Sequence, residues 1–228
     1  MKIFFWDIDG TLIRTSKAGL YAFKQAAEEM WGKSVDFTSV ETAGMTDNFI
    51  AKQIIKAILN RAATLPEIEQ LCRRYESLLQ EQLTQRTGIV LPEVRNILAR
   101  MGQHDDYKQL LLTGNSIRGA QTKLRHFELD RYFDFNLSAF SRQHEKRVDI
   151  AKSALEMVRE NWGEPDAHAI YVIGDTPHDI ECGKAIGAWT IGVATGTYSL
   201  SELKECSPWW VVETLPTPEE FIAKIERS

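Results

Sequence analysis

Asp7 and Asp9 stand one residue apart, directly after the apolar run Phe4-Phe5-Trp6 and just before Gly10-Thr11. Carboxylates this close repel one another and are costly to leave unpaired in a partly closed cleft, so the pair suits a cation or a shared proton. A hard ion such as Mg²⁺ satisfies them best. Further along, a second apolar run, Ile170-Tyr171-Val172-Ile173, leads into Gly174-Asp175, with Asp179 four residues later. A third, Leu110-Leu111-Leu112, ends at Thr113-Gly114-Asn115-Ser116. A hydroxyl, a glycine and a helix start in that order place backbone N–H groups and the positive end of a helix dipole where they can cradle a phosphate. Each segment also has a purely structural reading: Asp-x-Asp occurs in solvated turns, and Asn115, Ser116 or Asp175 could simply cap helices.

These residues need a scaffold that brings three strand ends together. Residues 2–6 are apolar on both faces, as in a central parallel strand, so Asp7 and Asp9 fall at the carboxyl end of a sheet, where open α/β sheets bind ligands. After Leu12 the pattern turns helical. Leu20, Phe23, Ala27, Met30 and Trp31 form one stripe. Phe49, Ile50, Ile54, Ile55, Ile58 and Leu59 form a second, with Asp47 as its N-cap. Ile68, Leu71, Cys72, Tyr75, Leu78, Leu79 and Leu83 form a third, opened by the capping-box spacing of Thr64-Leu65-Pro66-Glu67.

From Val90 the elements alternate. Helices are predicted over 92–101, 116–127, 149–162 and 177–186, and a last one opens at Thr217-Pro218-Glu219-Glu220. Strands are predicted over 108–112, 135–138, 169–173 and 189–193, with an edge strand over 209–212. Such alternation means right-handed βαβ crossovers and a parallel sheet covered on both faces. The expected fold is α/β: a Rossmann-like parallel sheet with helices on both faces, formed by residues 1–15 and 87–228, plus a small all-helical cap, residues 16–86, inserted after the first strand.

Composition narrows the function classes. The 228 residues are 43% hydrophobic and 26% charged, with a net charge of −5 and no basic run, which argues against a nucleic-acid surface. Cys72, Cys182 and Cys206 are odd in number and widely spaced, so neither a disulfide framework nor a zinc site is indicated. The amino terminus turns acidic too soon for a signal peptide, and no apolar stretch approaches the ~20 residues that span a membrane. A soluble cytoplasmic protein is expected, with no nucleic-acid or membrane partner; the sequence leaves the oligomeric state open.

The full string Asp7-Ile8-Asp9-Gly10-Thr11-Leu12 resembles the first signature of the haloacid dehalogenase-like hydrolase superfamily. Thr113 matches its second signature and Gly174-Asp175 with Asp179 its last, in the expected order. The inserted helices resemble those of the phosphoglycolate phosphatase-like and β-phosphoglucomutase-like branch. The resemblance implies that Asp7 is a phosphoryl-accepting nucleophile and Asp9 a general acid/base. It implies that Thr113, with Gly114 and Asn115, binds the transferring phosphoryl group. Asp175 would complete a Mg²⁺ site with the Asp7 carboxylate and the Asp9 backbone carbonyl, and Asp179 would support it from behind these ligands or through a water.

The family also places a cation before the helix that follows the third strand, here Arg142, Lys146 or Arg147, although its frequent Lys-Pro form is absent. If that helix reaches back to Arg147, then Arg147 shares the inward stripe of Ala151, Ala154, Leu155, Val158 and Trp162, while Lys146 is turned about 100° away. Residues 42–47, with Thr46 and Asp47, would help select the substrate. His144 and His178 read as solvated and Cys182 as helix core.

The implied activity is Mg²⁺-dependent hydrolysis of a small phosphorylated metabolite, a phosphomonoester, through an aspartyl phosphate. A phosphomutase would differ mainly in its acceptor. A phosphonate hydrolase would need a Schiff-base lysine, for which Lys17, Lys24, Lys33, Lys52 and Lys56 are available. A dehalogenase would need neither Asp9 nor Asp175. A non-catalytic binding module is disfavoured by the intact Asp7, Asp9, Thr113 and Asp175.

Overall fold

The structure is a computed structural model that describes residues 1–141, 146–166 and 169–227. In chain order it contains β1 (Lys2–Trp6), β2 (Ile13–Arg14), α1 (Ala18–Trp31), α2 (Asp47–Leu59), α3 (Leu65–Thr84), β3 (Ile89–Val90), α4 (Val94–Met101) and β4 (Tyr107–Leu111). There follow α5 (Ile117–His126), α6 (Arg147–Trp162), β5 (Ile170–Gly174), α7 (Pro177–Ala185), β6 (Trp189–Val193), α8 (Leu200–Glu205), β7 (Trp210–Val212) and α9 (Pro218–Glu226).

Five strands form one parallel sheet in the order β4-β1-β5-β6-β7. β1 is central because its side chains are apolar on both faces. Phe4 and Trp6 pack on one side with Leu111, Tyr171 and Ile173. Ile3 and Phe5 pack on the other with Leu110, Val172 and the apolar faces of α6 and α7. Phe4 stacks on Tyr171 at 4.9 Å and Trp6 on Phe221 of α9 at 5.9 Å between ring centroids. The fold is therefore the α/β parallel sheet, covered on both faces, that the strand and helix alternation predicts.

β2 and β3 pair antiparallel, Ile13 with Val90 and Arg14 with Ile89, so the chain leaves and rejoins the sheet region along one narrow ribbon. Between them lie α1, α2 and α3. α1 and α3 meet through Phe23 and Tyr75, stacked at 3.9 Å with parallel rings, and the apolar faces of all three helices join the cluster on the Phe4 side of the sheet. The expected capping box of Thr64 and Glu67 opens α3. Among the described residues no helix is long and apolar enough to cross a membrane.

Two sequence expectations are corrected. Residues 135–138 form no strand; the chain touches β4 through a single bridge between Leu112 and Ala139. The Ser138 hydroxyl accepts the Leu111 N–H at 2.9 Å and donates to the Asp134 carbonyl at 2.6 Å, so a side chain takes the place of a ladder rung. Asp47 is not the N-cap of α2. Thr46 is, accepting the Phe49 N–H at 3.1 Å, while the Asp47 carboxylate reaches across to the next loop. The short ribbon and α8 have no counterpart among the expected elements.

Candidate active site

The site begins where β1 stops. The Asp7 N–H makes the last rung of the ladder, to the Ile173 carbonyl at 2.9 Å, and the chain then turns at Gly10, whose φ of +90° suits glycine. Space demands glycine here as well, since a Cβ would stand 2.3 Å from an Asp175 carboxylate oxygen. Asp175 follows β5 directly and accepts a hydrogen bond from the Thr11 hydroxyl at 3.1 Å. Asp179 lies in the first turn of α7, where its carboxylate accepts from the Thr176 N–H at 3.0 Å in a capping box.

Asp7, Asp175 and Asp179 are all buried, and each offers a carboxylate oxygen within 4.8 Å of the others. Burial pushes Asp7 up to about 7; Arg147 opposes the rise, and the charges of Asp179 and Asp9 add to it. Asp175 is likewise raised well above the ordinary carboxylate range, by burial first and then by Asp179 and Asp7. Three crowded carboxylates exceed the charge of the one guanidinium among them, and their donors are all hard oxygens, a set that fits a hard divalent cation.

That guanidinium belongs to Arg147, the first residue of α6. Its Nη2 donates to Asp7 Oδ1 at 3.0 Å and to Asp179 Oδ1, and its Nη1 donates to the Gly44 carbonyl at 3.4 Å. Burial works against its charge, yet Asp179 and Asp7 hold its pKa above the usual value. Lys146, off the end of the helix, is exposed. Arg142 and His144 lie outside the described residues.

The loop after β4 forms another wall. Thr113 is buried beneath it, its hydroxyl accepting from the Asn115 N–H at 3.3 Å and from the Asn115 side-chain amide at 2.9 Å. Asn115 also donates to Asp9 Oδ2 at 2.9 Å. Gly114 packs so closely under the inserted segment that a Cβ would lie 2.4 Å from the Met45 carbonyl oxygen. Asp47 binds this loop too, its carboxylate accepting the Ser116 N–H at 2.7 Å. Burial pushes Asp47 up to about 6, against the pull of Lys123 and the Ser116 N–H.

A cavity of about 480 Å³ lies between the strand ends and the inserted helices. Asp7, Asp9, Gly114, Asn115, Arg147 and Asp175 border it on the sheet side; Leu20, Phe23, Ile50 and Tyr75 supply an apolar wall opposite. Asp47 borders it as expected, whereas Thr46, Thr113 and Asp179 do not. Of the five lysines considered for a Schiff base, Lys17 alone lines it, and His178 packs outside it against Gly44. Sequence reasoning missed Lys123, which is buried in α5 and donates to both Asp9 and Asn115. Its signal was a lysine set in the apolar stripe of Ala120 and Leu124.

Comparison with known proteins identifies the family and the fold. Residues 4–193 match the family described as haloacid dehalogenase-like hydrolase. The chain is 27% identical over 211 residues to a protein of Dickeya dadantii (strain 3937) named probable phosphatase IndB, spanning 92% of this chain and 88% of that one. Its fold is similar to that of a HAD hydrolase, family IA, variant 3, from Entamoeba histolytica, with a TM-score of 0.76 at 20% identity over 99% of this chain and 100% of the other. A hydrolase from Pseudomonas syringae gives a TM-score of 0.71 at 20% identity, over 100% and 99% of the two chains. A match that extends from the first strand to the end of β6, a span that includes the acidic cluster, makes the chain a member of the haloacid dehalogenase-like hydrolases.

Proposed function

We propose that the protein is a Mg²⁺-dependent phosphatase that hydrolyses a small phosphomonoester through an aspartyl phosphate on Asp7. The observation that carries this reading is the setting of Asp7: a buried carboxylate at a strand end, beside two further carboxylates and a guanidinium. Asp7, Asp175 and Asp179 would hold the ion, with the Asp9 backbone carbonyl as the family resemblance implies. When bound, Mg²⁺ neutralises charge between Asp7 and a dianionic phosphoryl group.

Asp7 attacks phosphorus in line with the leaving oxygen, and Asp9, which faces the cavity, gives that oxygen a proton. Asp9 then takes a proton from the water that hydrolyses the aspartyl phosphate. Arg147 and the Gly114 N–H bind the equatorial oxygens, joined by Thr113 and the Asn115 N–H as these exchange their present hydrogen bonds for the phosphoryl group, while Lys146, exposed, contributes little. The helices of residues 16–86 act as a cap that excludes bulk water, and Asp47, with the loop that leads through Thr46, contacts the leaving group. The cavity is of a size that suits a small metabolite. A cytoplasmic location accords with the three free cysteines.

The test is trapping. With Mg²⁺ and an aryl phosphate, the parent protein should release inorganic phosphate, and Asp9→Asn should accumulate a phosphorylated chain that Asp7→Asn does not. Undiminished turnover in Asp7→Asn, a nearly isosteric change that deletes only the charge, would rule out the covalent route. Transfer of phosphate to a sugar acceptor in place of water would indicate the mutase.

A further inference from the structure

We propose that Lys123 is the positioning residue of the acid/base group: together with Asn115 it engages Oδ2 of Asp9 and leaves Oδ1 as the oxygen that moves the proton. The inference rests on the reading of Asp9 as general acid and base. It begins from an anomaly. Lys123 lies on the inward face of α5 with only 6% of its side chain exposed, where an ammonium group is costly unless it is fully paired. Replacing a buried ion pair by apolar side chains is often neutral or stabilising, so fold stability is a weak reason for this lysine.

Its partners suggest a different reason. Nζ donates to Asp9 Oδ2 at 2.5 Å and to Asn115 Oδ1 at 2.6 Å. Because an ammonium has donors and no acceptor, it must face the oxygen of the Asn115 amide, which fixes the orientation of that amide. The Asn115 nitrogen is thereby turned toward Asp9 Oδ2, at 2.9 Å, and toward the Thr113 hydroxyl, also at 2.9 Å. Oδ2 thus accepts from two donors at once, while among the described residues no donor is recorded at Oδ1. Asp9 borders the cavity and its side chain is 39% exposed.

The consequence for the reaction is a division of labour between the two oxygens. As Asp7 bonds to phosphorus and the bond to the leaving oxygen breaks, the proton on Asp9 Oδ1 passes to that oxygen. In the second half Oδ1 takes the proton from water as the water oxygen bonds to phosphorus and the Asp7–phosphorus bond breaks. Oδ2 keeps its two donors throughout. The chain from Thr113 through Asn115 and Lys123 to Asp9 also ties the acid/base group to the loop that cradles the phosphoryl group.

The test uses the full-length protein with Mg²⁺ and a series of substituted phenyl phosphates, from 4-nitrophenyl phosphate, whose leaving group needs little protonation, to phenyl phosphate, which needs more. Lys123→Met should lower kcat/KM about 100-fold on phenyl phosphate and less than about 10-fold on 4-nitrophenyl phosphate, so that the dependence on the leaving group steepens. Lys123→Gln, which retains a donor without the charge, should fall between parent and Lys123→Met and serves if the latter folds poorly. Asp9→Asn is measured alongside. An equal loss on every substrate in the Lys123 variants, with a steepened dependence in Asp9→Asn, overturns this role for Lys123 alone. A parent-like dependence in Asp9→Asn overturns the acid/base reading and this inference with it.

Discussion

Removing the Arg147 side chain should cost both stability and turnover, by amounts that its surroundings let us work out. Arg147 is the sole cation recorded as paired with Asp7 and Asp179 among the described residues, and all three side chains are less than a tenth exposed. A contact of 3.0 Å is worth roughly 5 kcal/mol at an effective dielectric constant of about 20. Burying the guanidinium offsets much of that, and truncating one partner of such a group typically leaves a net loss of about 3–5 kcal/mol. For a chain of this length that corresponds to a fall in Tm of about 6–20 °C. We expect this fall in Arg147→Ala by calorimetry at pH 8 in chelator, where Asp7 of the parent, pushed up to about 7, is largely ionised; in the variant Asp7 rises further and takes up a proton, which puts the loss toward the lower end of that range.

Saturating Mg²⁺ should recover part of the loss, because the ion supplies the missing charge. On turnover the same variant should lower kcat/KM about 100-fold or more, since roughly 3 kcal/mol of transition-state stabilisation goes with the guanidinium. Lys146→Ala, altering an exposed neighbour, is the control and should change little. If Arg147→Ala melted within about 2 °C of the parent in chelator, the carboxylates would not depend on this cation. If Lys146→Ala were the more damaging change, the phosphate-binding role would pass to Lys146.

Chelation should abolish activity and Mg²⁺ restore it, and Asp175→Ala should raise the Mg²⁺ concentration needed for half-maximal turnover about tenfold or more; full activity in excess chelator would refute the ion site. Asp47 should leave a mark on stability against pH. Because the folded chain holds the Asp47 proton up to about pH 6 and the unfolded chain only to about pH 4, this contribution is present in full below about pH 4 and is lost as pH rises through about 6. Denaturant titrations of Asp47→Asn, which keeps an acceptor for Ser116, should show that decline removed, a difference of about 3 kcal/mol at most. Parallel pH profiles for variant and parent would show that burial does not hold the proton on Asp47.

Much of the sheet was legible because its strands carry no competing signal. Residues 3–6 and 170–173 are apolar at every turn of the pleat, which places them in the interior, and Asp7 and Asp175 stand out by following those runs. The inward turn of Arg147 followed from the stripe that runs through Ala151, a feature of local geometry alone, whereas Lys146 is exposed because it lies outside the helix in extended conformation. What was not legible depends on long-range substitution of one group for another. Ser138 mimics a strand neighbour through its hydroxyl, and Asp47 leaves the capping of α2 to Thr46 because Ser116 claims its carboxylate. β2 and β3 are two residues each, too short to show a period. α8 was within reach, since Ser199 and Glu202 have capping-box spacing. Lys123 was passed over because its partners lie in loops that only the tertiary fold brings near.

The place of β1 at the centre of the sheet bears on how the chain acquires its shape. Phe5 pairs on one side with Leu110 and on the other with Val172, so the earliest strand of this sheet in chain order is enclosed only when β5, far later in the chain, has been made. At usual rates of synthesis, on the order of 10 s or more separate β1 from β5, and until then the uncharged run of Ile3-Phe4-Phe5-Trp6 has at most β4 beside it. Short, apolar, proline-free segments of that kind are prone to pair with strangers. α1 and α3, whose mutual contacts are comparatively local, are complete by Thr84 and can bury their faces on each other first. Pairing of β5 closes the open side of β1 and in the same movement brings Asp175 to Asp7, while Asp179 follows with α7.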